Sequence, residues 1–461
     1  MQALLNAPLF GTLLEERTSS SENKYTLENP DSEETIELEL PECDFAVRSL
    51  VELYKSYSNA QQQSSTSQPI APSKLMNCIR QKTGRFQRLV QEDSHELLRS
   101  LIDIIRSDEI RRQKAAISSY LGENKANQLK ADCFTIIDMI FGGYFLSSVK
   151  CQKCKFKSQH LEPFYDMSLA ITDPINDIRA AISNFTSNAI LDGDNKFICE
   201  RCSKANGTKT YEAGVKSTNI AVPPNILTLH LKRFEANGCD ARGGLGGGRK
   251  GKKSVGGGGR RNKNNKKKGG DEDDDDSSFL FARGGVSFRK INKHVEFTEF
   301  LDLSDFTSDL CYDLTKINNW PRINRGDPIW YSLFGVVCHS GNLRSGHYTA
   351  FVKCEELNDS SLDEFADFIQ ETPYIPELAD LEKIKDRIRQ HDAARSETTD
   401  RYDEVDESNG NTDYYDKPHS IPGNWYHISD SCVRKSSLPT VLSSQAYILF
   451  YRRVFPFRIS E

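Results

Sequence analysis

Two groups of residues in this sequence have the types and spacing to do chemistry. The first is Ser345-Gly346-His347-Tyr348-Thr349-Ala350-Phe351. A histidine that opens a strand-like run after a glycine turn is placed as a general base, and such a base activates a thiol held within hydrogen-bond reach. A lone strand histidine is more often structural, but the Gly-His-Tyr setting favours catalysis. The second group is Cys151-Gln152-Lys153-Cys154 together with Cys199-Glu200-Arg201-Cys202. Two residues between cysteines let both thiolates of a tight knuckle face one ion. Two knuckles complete a tetrahedral S₄ set, which suits Zn²⁺. The pairs lie farther apart than the ~15–20 residues of a compact zinc ribbon, so the segment between them is an excursion within one subdomain. A redox pair is the rival reading, and two such pairs in a chain of reduced thiols favour zinc. A closed Cys₄ site leaves no open position for substrate, so its role is structural.

These residues need a frame. At 461 residues, with 37% hydrophobic and 10% aromatic content, the chain has material for a sizeable core. Its net charge of −6 points to no partner class. Twelve cysteines, four in the two pairs and the others scattered, do not make the framework of a small secreted domain. Met1 to Leu14 is apolar but lacks the basic start and small-residue cleavage site of a signal peptide; it reads as an amphipathic helix. No run approaches the ~18 apolar residues of a membrane span, so a soluble protein is expected. Helical patterns cover Phe45 to Tyr57 and Gln91 to Ile105, where Leu97, Leu98, Leu101, Ile102 and Ile105 share a face. Gln61 to Ser73 reads as a loop, and the stretch from Leu14 to about Glu39 as polar. Strand patterns follow at Asn225 to Phe234, Tyr331 to Val337, Tyr348 to Val352 and Ala446 to Tyr451. Helices first and strands later argue for an α+β protein with segregated lobes. Two insertions interrupt it. One is Gly-, Lys- and Asn-rich, with ten basic residues between Arg249 and Lys268 and then the acidic run Asp271 to Asp276; it reads as disordered. The other, Glu355 to Pro422, is charged, with at most a short helix near Leu378 to Gln390.

Several motifs in order resemble the ubiquitin-specific proteases, papain-like cysteine isopeptidases with a helical thumb, a β-rich palm and zinc-binding fingers. Gln91-Glu92-Asp93-Ser94-His95-Glu96-Leu97-Leu98 is similar to the family's Gln-Gln-Asp-x-x-Glu-Leu/Phe-Leu helix. Phe141-Gly142-Gly143 before the first cysteine pair, and Pro223-Pro224-Asn225 through Leu231-Lys232-Arg233-Phe234 after the second, are similar to the fingers and the strand that follows. Tyr331 to Tyr348 resembles the histidine box. Trp425-Tyr426-His427-Ile428-Ser429-Asp430 and Ala446 to Tyr451 resemble the last two blocks. The implied layout is one catalytic domain over 1–453: thumb 1–138, fingers with the zinc site 139–235, disordered insertion 237–286, palm 287–354, charged insertion 355–422 and palm 423–453. The wording around Ser429 is most similar to the branch acting on ubiquitinated histones.

The resemblance implies a deubiquitinase that hydrolyses the isopeptide bond after the C-terminal glycine of ubiquitin. His347 becomes the general base. The third catalytic member, usually Asp or Asn, aligns with Ser429 and is followed by Asp430; Ser429 is preferred, because a serine oxygen can accept the imidazole N–H and a neutral orienter suffices in papain-like sites. Gln91, Asp93, Gly346 and Tyr348 are implied in holding the ubiquitin tail, although an acidic residue before a helix also serves as a cap. The family's cysteine box, Gly-x-x-Asn-x-Gly-Asn-x-Cys-Phe-x-Asn, is absent. By alignment its cysteine falls about six residues ahead of Met1, as though the chain were an N-terminally incomplete fragment. None of the twelve cysteines has the box around it, and Cys78 and Cys338 read as packing residues. As written, the chain is expected to be inactive unaided. The partners implied are ubiquitin and ubiquitinated proteins, histones among them, in the nucleus or cytoplasm, with structural zinc as cofactor. Two other readings are a non-catalytic ubiquitin-binding module and a zinc-ribbon nucleic-acid binder. The basic run lacks the interleaved aromatics that base stacking needs, which argues against the latter; that run reads instead as a nuclear-import or histone-contact segment, or as a plain linker.

Overall fold

The longest helix starts from Asp93 in the computed structural model of the chain, which describes residues 1–5, 7, 10–18, 23–28, 35–62, 70–87, 92–122, 133–237, 279–280, 287–317, 323–341, 346–355, 381–399, 418 and 422–454. The Asp93 carboxylate accepts the backbone N–H groups of His95 and Glu96, satisfying two of the donors that a helix leaves open at its start. From there α5 (Ser94–Leu121) continues to Gly122, well past the predicted end at Ile105. The apolar stripe stops at Ile105, and buried polar groups hold the second half. Glu109 accepts the Ile136 backbone N–H at 2.9 Å, Gln113 donates to the Phe134 carbonyl at 2.8 Å and Arg112 to the Pro41 carbonyl at 2.8 Å. Hydrophobic periodicity cannot reveal a helix buried through its polar side chains.

Around α5 pack α1 (Gln2–Leu5), α2 (Phe10–Glu16), α3 (Phe45–Gln62), α4 (Ser73–Thr83) and α6 (Ile136–Phe141), enclosing Phe10, Leu14, Leu50, Ile79 and Phe141. The single helix expected over Met1 to Leu14 is two short ones, and Pro8, which cannot donate a helical hydrogen bond, lies between them in sequence. The stretch read as polar holds a hairpin, β1 (Lys24–Glu28) with β2 (Thr35–Glu39). Its apolar residues Tyr25, Leu27, Ile36 and Leu38 alternate with polar ones, and Leu38 packs on Ala116 and Ile117 near the end of α5.

The second lobe is an eight-stranded sheet in the order β18 (Cys432–Ser436), β17 (Gly423–Ser429), β16 (Gly346–Glu355), β15 (Trp330–Gly341), β19 (Ala446–Arg453), β10 (Ile226–Lys232) and β5 (Met167–Ala170), with β14 (Phe300–Asp302) beside the start of β15. Ile226, Ile448 and Phe450 face the helical lobe. Leu227, Leu229, Leu449 and Tyr451 face the other way, onto α7 (Ile178–Thr186) and α11 (Leu438–Leu442). Covered on both sides, β10 buries Thr228 as well as its leucines, so its alternation in sequence does not mark a wet face.

A four-stranded sheet projects from this body in the order β4 (Lys157–Phe164), β3 (Gly143–Cys151), β9 (Gly214–Val222) and β6 (Ala189–Leu191). At its tip lie the short pair β7 (Phe197–Ile198) and β8 (Tyr211–Glu212) and the helix α8 (Glu200–Asn206). One face of the projection stacks Phe145 on Phe164 against α7. The opposite face, through Leu146, Leu161 and Ala221, is covered by α9 (Asp309–Ile317) and α10 (Leu381–Thr399). α10 extends beyond the short helix expected near Leu378 to Gln390, and Ile384 on it is fully buried. It brings part of the charged insertion into the core. The rest of that insertion, apart from Glu355, Pro418 and Pro422, lies outside the described residues. So does the insertion at 237–286, apart from Asn237 and the pair β12 (Phe279–Leu280), which joins β11 (Phe234–Asn237) through β13 (Ser287–Lys290). Among the described residues, no helix is long and apolar enough to cross a membrane.

Candidate active site

The hairpin of β15 and β16 delivers His347. Its register pairs Ser340 with His347 and Gly341 with Gly346. A Cβ on Gly346 would lie 2.1 Å from His339 Nε2 and 2.5 Å from the Ser340 carbonyl oxygen, so only glycine fits there. β17 runs beside β16, and its last residue is Ser429. Ser429 Oγ lies 2.8 Å from His347 Nε2. Asp430 follows in a two-residue turn at φ 49°, a left-handed conformation that Asp tolerates better than most residues. Its carboxylate stands 3.9 Å from the same nitrogen, outside hydrogen-bond range, with 84% of the side chain exposed. With Nε2–H donating to Ser429, Nδ1 is the nitrogen left to accept a proton. Among the described residues, the hydrogen-bond and ion-pair partners of the His347 ring are Ser429 and Asp430, and no thiol is one of them.

A cavity of about 610 Å³ opens beside this pair, lined by Met1, Leu4, Asp93, Tyr348, Ile428 and Asp430 among others. Asp93 is fully engaged on its wall. One carboxylate oxygen caps α5, and the other accepts the Tyr447 hydroxyl. Tyr348 packs on His339 with ring centres 4.6 Å apart, and burial beside Asp93 pushes its hydroxyl up to about 12. Asp93 and Tyr348 thus meet on the cavity wall, and Gly346 adjoins His347 at the start of β16; Gln91 lies outside the described residues.

Behind that wall is a polar layer that the sequence reading did not single out. His95 Nε2 lies 2.9 Å from Asp166 Oδ2, and Ser168 donates to the same oxygen at 3.3 Å. His230 Nδ1 meets Ser168 Oγ at 2.9 Å, and its ring stacks on His95 at 3.8 Å. Burial and the neighbouring His95 push His230 down to about 4. Burial works against the charge on Asp166, yet the hydrogen bond and charge of His95 hold it below the ordinary carboxylate value. A histidine amid leucines in Leu227 to Leu231 was the available signal, and its partners come from two distant segments, one holding His95 and the other Asp166 and Ser168.

At the tip of the projection, Cys151, Cys154, Cys199 and Cys202 place their sulfurs within 4.8 Å of one another. Cys154 and Cys199 stand 3.5 Å apart, and Cys151 and Cys202 4.0 Å. Four sulfurs at the ~2.3 Å zinc–thiolate distance sit ~3.8 Å apart in a tetrahedron, whereas a disulfide would need ~2.05 Å. The group therefore fits a metal ion and not a disulfide pair. The Phe156 backbone N–H draws the Cys154 thiol down to about 7, while burial and the other sulfurs push Cys202 up to about 12. Cys78 is buried on α4 and Cys338 half-buried on β15.

The family described as "Ubiquitin carboxyl-terminal hydrolase" matches residues 1–247 and 280–451. Ubiquitin carboxyl-terminal hydrolase 25 of Arabidopsis thaliana is 30% identical over 384 residues, covering 83% of this chain and 36% of that protein. Ubiquitin carboxyl-terminal hydrolase 17 of the same plant is 27% identical over 288 residues, 62% of this chain and 29% of its own length. Human ubiquitin carboxyl-terminal hydrolase 42 is 25% identical over 385 residues, 83% of this chain and 18% of its own. The chain thus spans about a third or less of the curated relatives it matches. A solved structure, the SAGA Ubp8/Sgf11/Sus1/Sgf73 DUB module bound to ubiquitin aldehyde, superposes with a TM-score of 0.53 at 19% identity over 99% of this chain and 66% of that one, a likeness of fold.

Proposed function

Since the chain belongs to the ubiquitin carboxyl-terminal hydrolase family, we propose that it forms the body of a cysteine-type deubiquitinase, cleaving the isopeptide bond after the last glycine of ubiquitin. The observation that carries this reading is the 2.8 Å contact of His347 Nε2 with Ser429 Oγ beside an open cleft. The nucleophile is the thiol of a cysteine box carried outside these 461 residues and presented to His347 Nδ1. Nδ1 takes the thiol proton, the thiolate attacks the glycine carbonyl, and the imidazolium returns the proton to the departing lysine amine. Water then hydrolyses the thioester with the same base. Ser429 brings no charge to this cycle. It fixes the tautomer and the ring plane, while the thiolate supplies the counter-charge to the imidazolium.

The helical lobe is the thumb, the eight-stranded sheet the palm and the projecting sheet the fingers. Ubiquitin lies across them with its tail in the cleft at Asp93, Gly346 and Tyr348, and with Gln91 nearby. Zinc held by Cys151, Cys154, Cys199 and Cys202 cross-links the fingertip, where the surrounding core is small. The free state of the described cysteines suits the nucleus or cytoplasm. The absence of any thiol at His347 among the described residues favours one alternative, a ubiquitin-binding module without activity. One experiment separates them. With a cysteine box placed ahead of Met1, the protein should hydrolyse ubiquitin conjugates, and His347→Ala should abolish turnover while ubiquitin binding survives. Undiminished turnover in that variant refutes the base assignment, and binding without turnover in the parent leaves the module.

A further inference from the structure

β18 ends the palm sheet, and among the described residues no strand pairs with its outer side. Cys432, Val433, Arg434 and Lys435 are all exposed, Val433 at 58%. In an antiparallel ladder every second residue of an edge strand turns its N–H and C=O outward, so β18 offers a template for another strand. Lysines on an edge commonly serve only to prevent unwanted pairing. The position of this edge argues for more. Ser429, which holds His347, pairs directly with Cys432 across the two-residue turn. Arg434 follows two residues along, ~7 Å further from the His347–Ser429 pair. The sheet order also separates two sides of His347: His339 on β15 and Tyr447 on β19, with Asp93 beyond, lie on one side of β16, and β17 and β18 on the other. If the ubiquitin tail occupies the first side, the protein that carries the modified lysine leaves over the second.

We infer that the β18 edge receives an extended, acidic segment of the conjugated protein, flanking the modified lysine, as an added strand of the palm sheet. The inference rests on the ubiquitin-conjugate reading above. Charge selects the class of partner: Arg434 and Lys435 have no carboxylate partner among the described residues. The acid of this hairpin is Asp430, confined to the turn, so the partner's carboxylates pair beyond it. Alternate backbone bonds fix the segment and the two cations fix its charge, the usual division of labour in strand addition.

The test measures binding of this chain to three fluorescent probes by anisotropy: ubiquitin alone, and ubiquitin joined through its C-terminus to the lysine side chain of an acidic or of a basic peptide. The acidic conjugate should bind about tenfold tighter than ubiquitin alone, from two cross-strand charge pairs and the added strand. That gain should vanish in Arg434→Glu/Lys435→Glu, and should transfer to the basic conjugate. Val433→Pro, which disables the edge without altering charge, should also remove it. Equal affinity for all three probes, with ubiquitin bound, overturns the edge site and leaves the deubiquitinase reading standing. No binding of any probe overturns both. A concentration-dependent dimer lost in Val433→Pro makes the edge a self-interface and also overturns the inference.

Discussion

Acid should loosen this fold through His230, and the size of the effect follows from its surroundings. Ser168 donates its proton to Asp166, so the 2.9 Å contact with His230 is an Nδ1–H donating to Ser168 Oγ. The ring is then neutral with Nε2 bare, and Nε2 has no hydrogen-bond partner in its buried site. Protonation would put a charge out of water, beside the His95 ring stacked 3.8 Å away, and add an N–H with no acceptor. These place the folded value at about 4 against an ordinary 6.5. The depressed value means that the unfolded chain binds the proton first. Stability is therefore complete above pH 6.5 and is lost as pH falls towards 4, by about 3 kcal/mol at ~1.36 kcal/mol per unit. His230→Phe keeps the stacked ring but cannot be protonated. Losing the bond to Ser168 should cost it about 1 kcal/mol at pH 7. Urea unfolding at pH 7, 5.5 and 4 should show the variant gaining about 3 kcal/mol on the parent across that range. A constant offset between the two would refute the buried-neutral account of His230.

Other outcomes follow from single contacts. In the protein bearing its cysteine box, Ser429→Ala should lower kcat at least about tenfold, whereas Asp430→Ala should stay within about threefold, its carboxylate being in water; the reverse order would make Asp430 the orienter. Gly346→Ala should abolish turnover, because its methyl would meet His339 Nε2 and the Ser340 carbonyl; wild-type kinetics would show that the hairpin yields. Removing metal with a chelator, or Cys199→Ser, should lower the melting temperature and weaken ubiquitin binding together, and no change in either would rule out a structural ion. Ile384→Asp, which places a carboxylate in the core under α10, should cost about 3 kcal/mol or more in urea unfolding; a smaller loss would mean that α10 does not brace the fingers.

The hairpin bearing His347, the strands of the large sheet and both cysteine knuckles were legible because short-range patterns encode them: a glycine before His347, alternating apolar runs, and paired cysteines at fixed spacing. What escaped was built from contacts distant in sequence. The second half of α5 is held by Glu109, Arg112 and Gln113, whose polarity imitates a solvent face. α10 is rich in charge, yet Leu381 and Ile384 suffice to seat it against Ala221 and Leu314. The network of His95, Asp166, Ser168 and His230 draws on three chain segments, and no periodicity announces it. Gly346 shows a subtler case: the resemblance implied a place beside the ubiquitin tail, and the structure supplies a packing reason in His339. The hairpin of β1 and β2 is encoded locally too, since Tyr25, Leu27, Ile36 and Leu38 alternate with polar residues as plainly as in any strand.

The central claim is a ubiquitin-tail cleft in which His347 serves an incoming thiol. The most direct measurement is reaction with ubiquitin carrying a C-terminal electrophile, for this chain and for one bearing a cysteine box ahead of Met1. The account predicts that both bind ubiquitin and that only the second is labelled, at the box cysteine, with labelling greatly slowed in His347→Ala. Labelling of this chain at one of its own cysteines, or failure of both to bind, would contradict it.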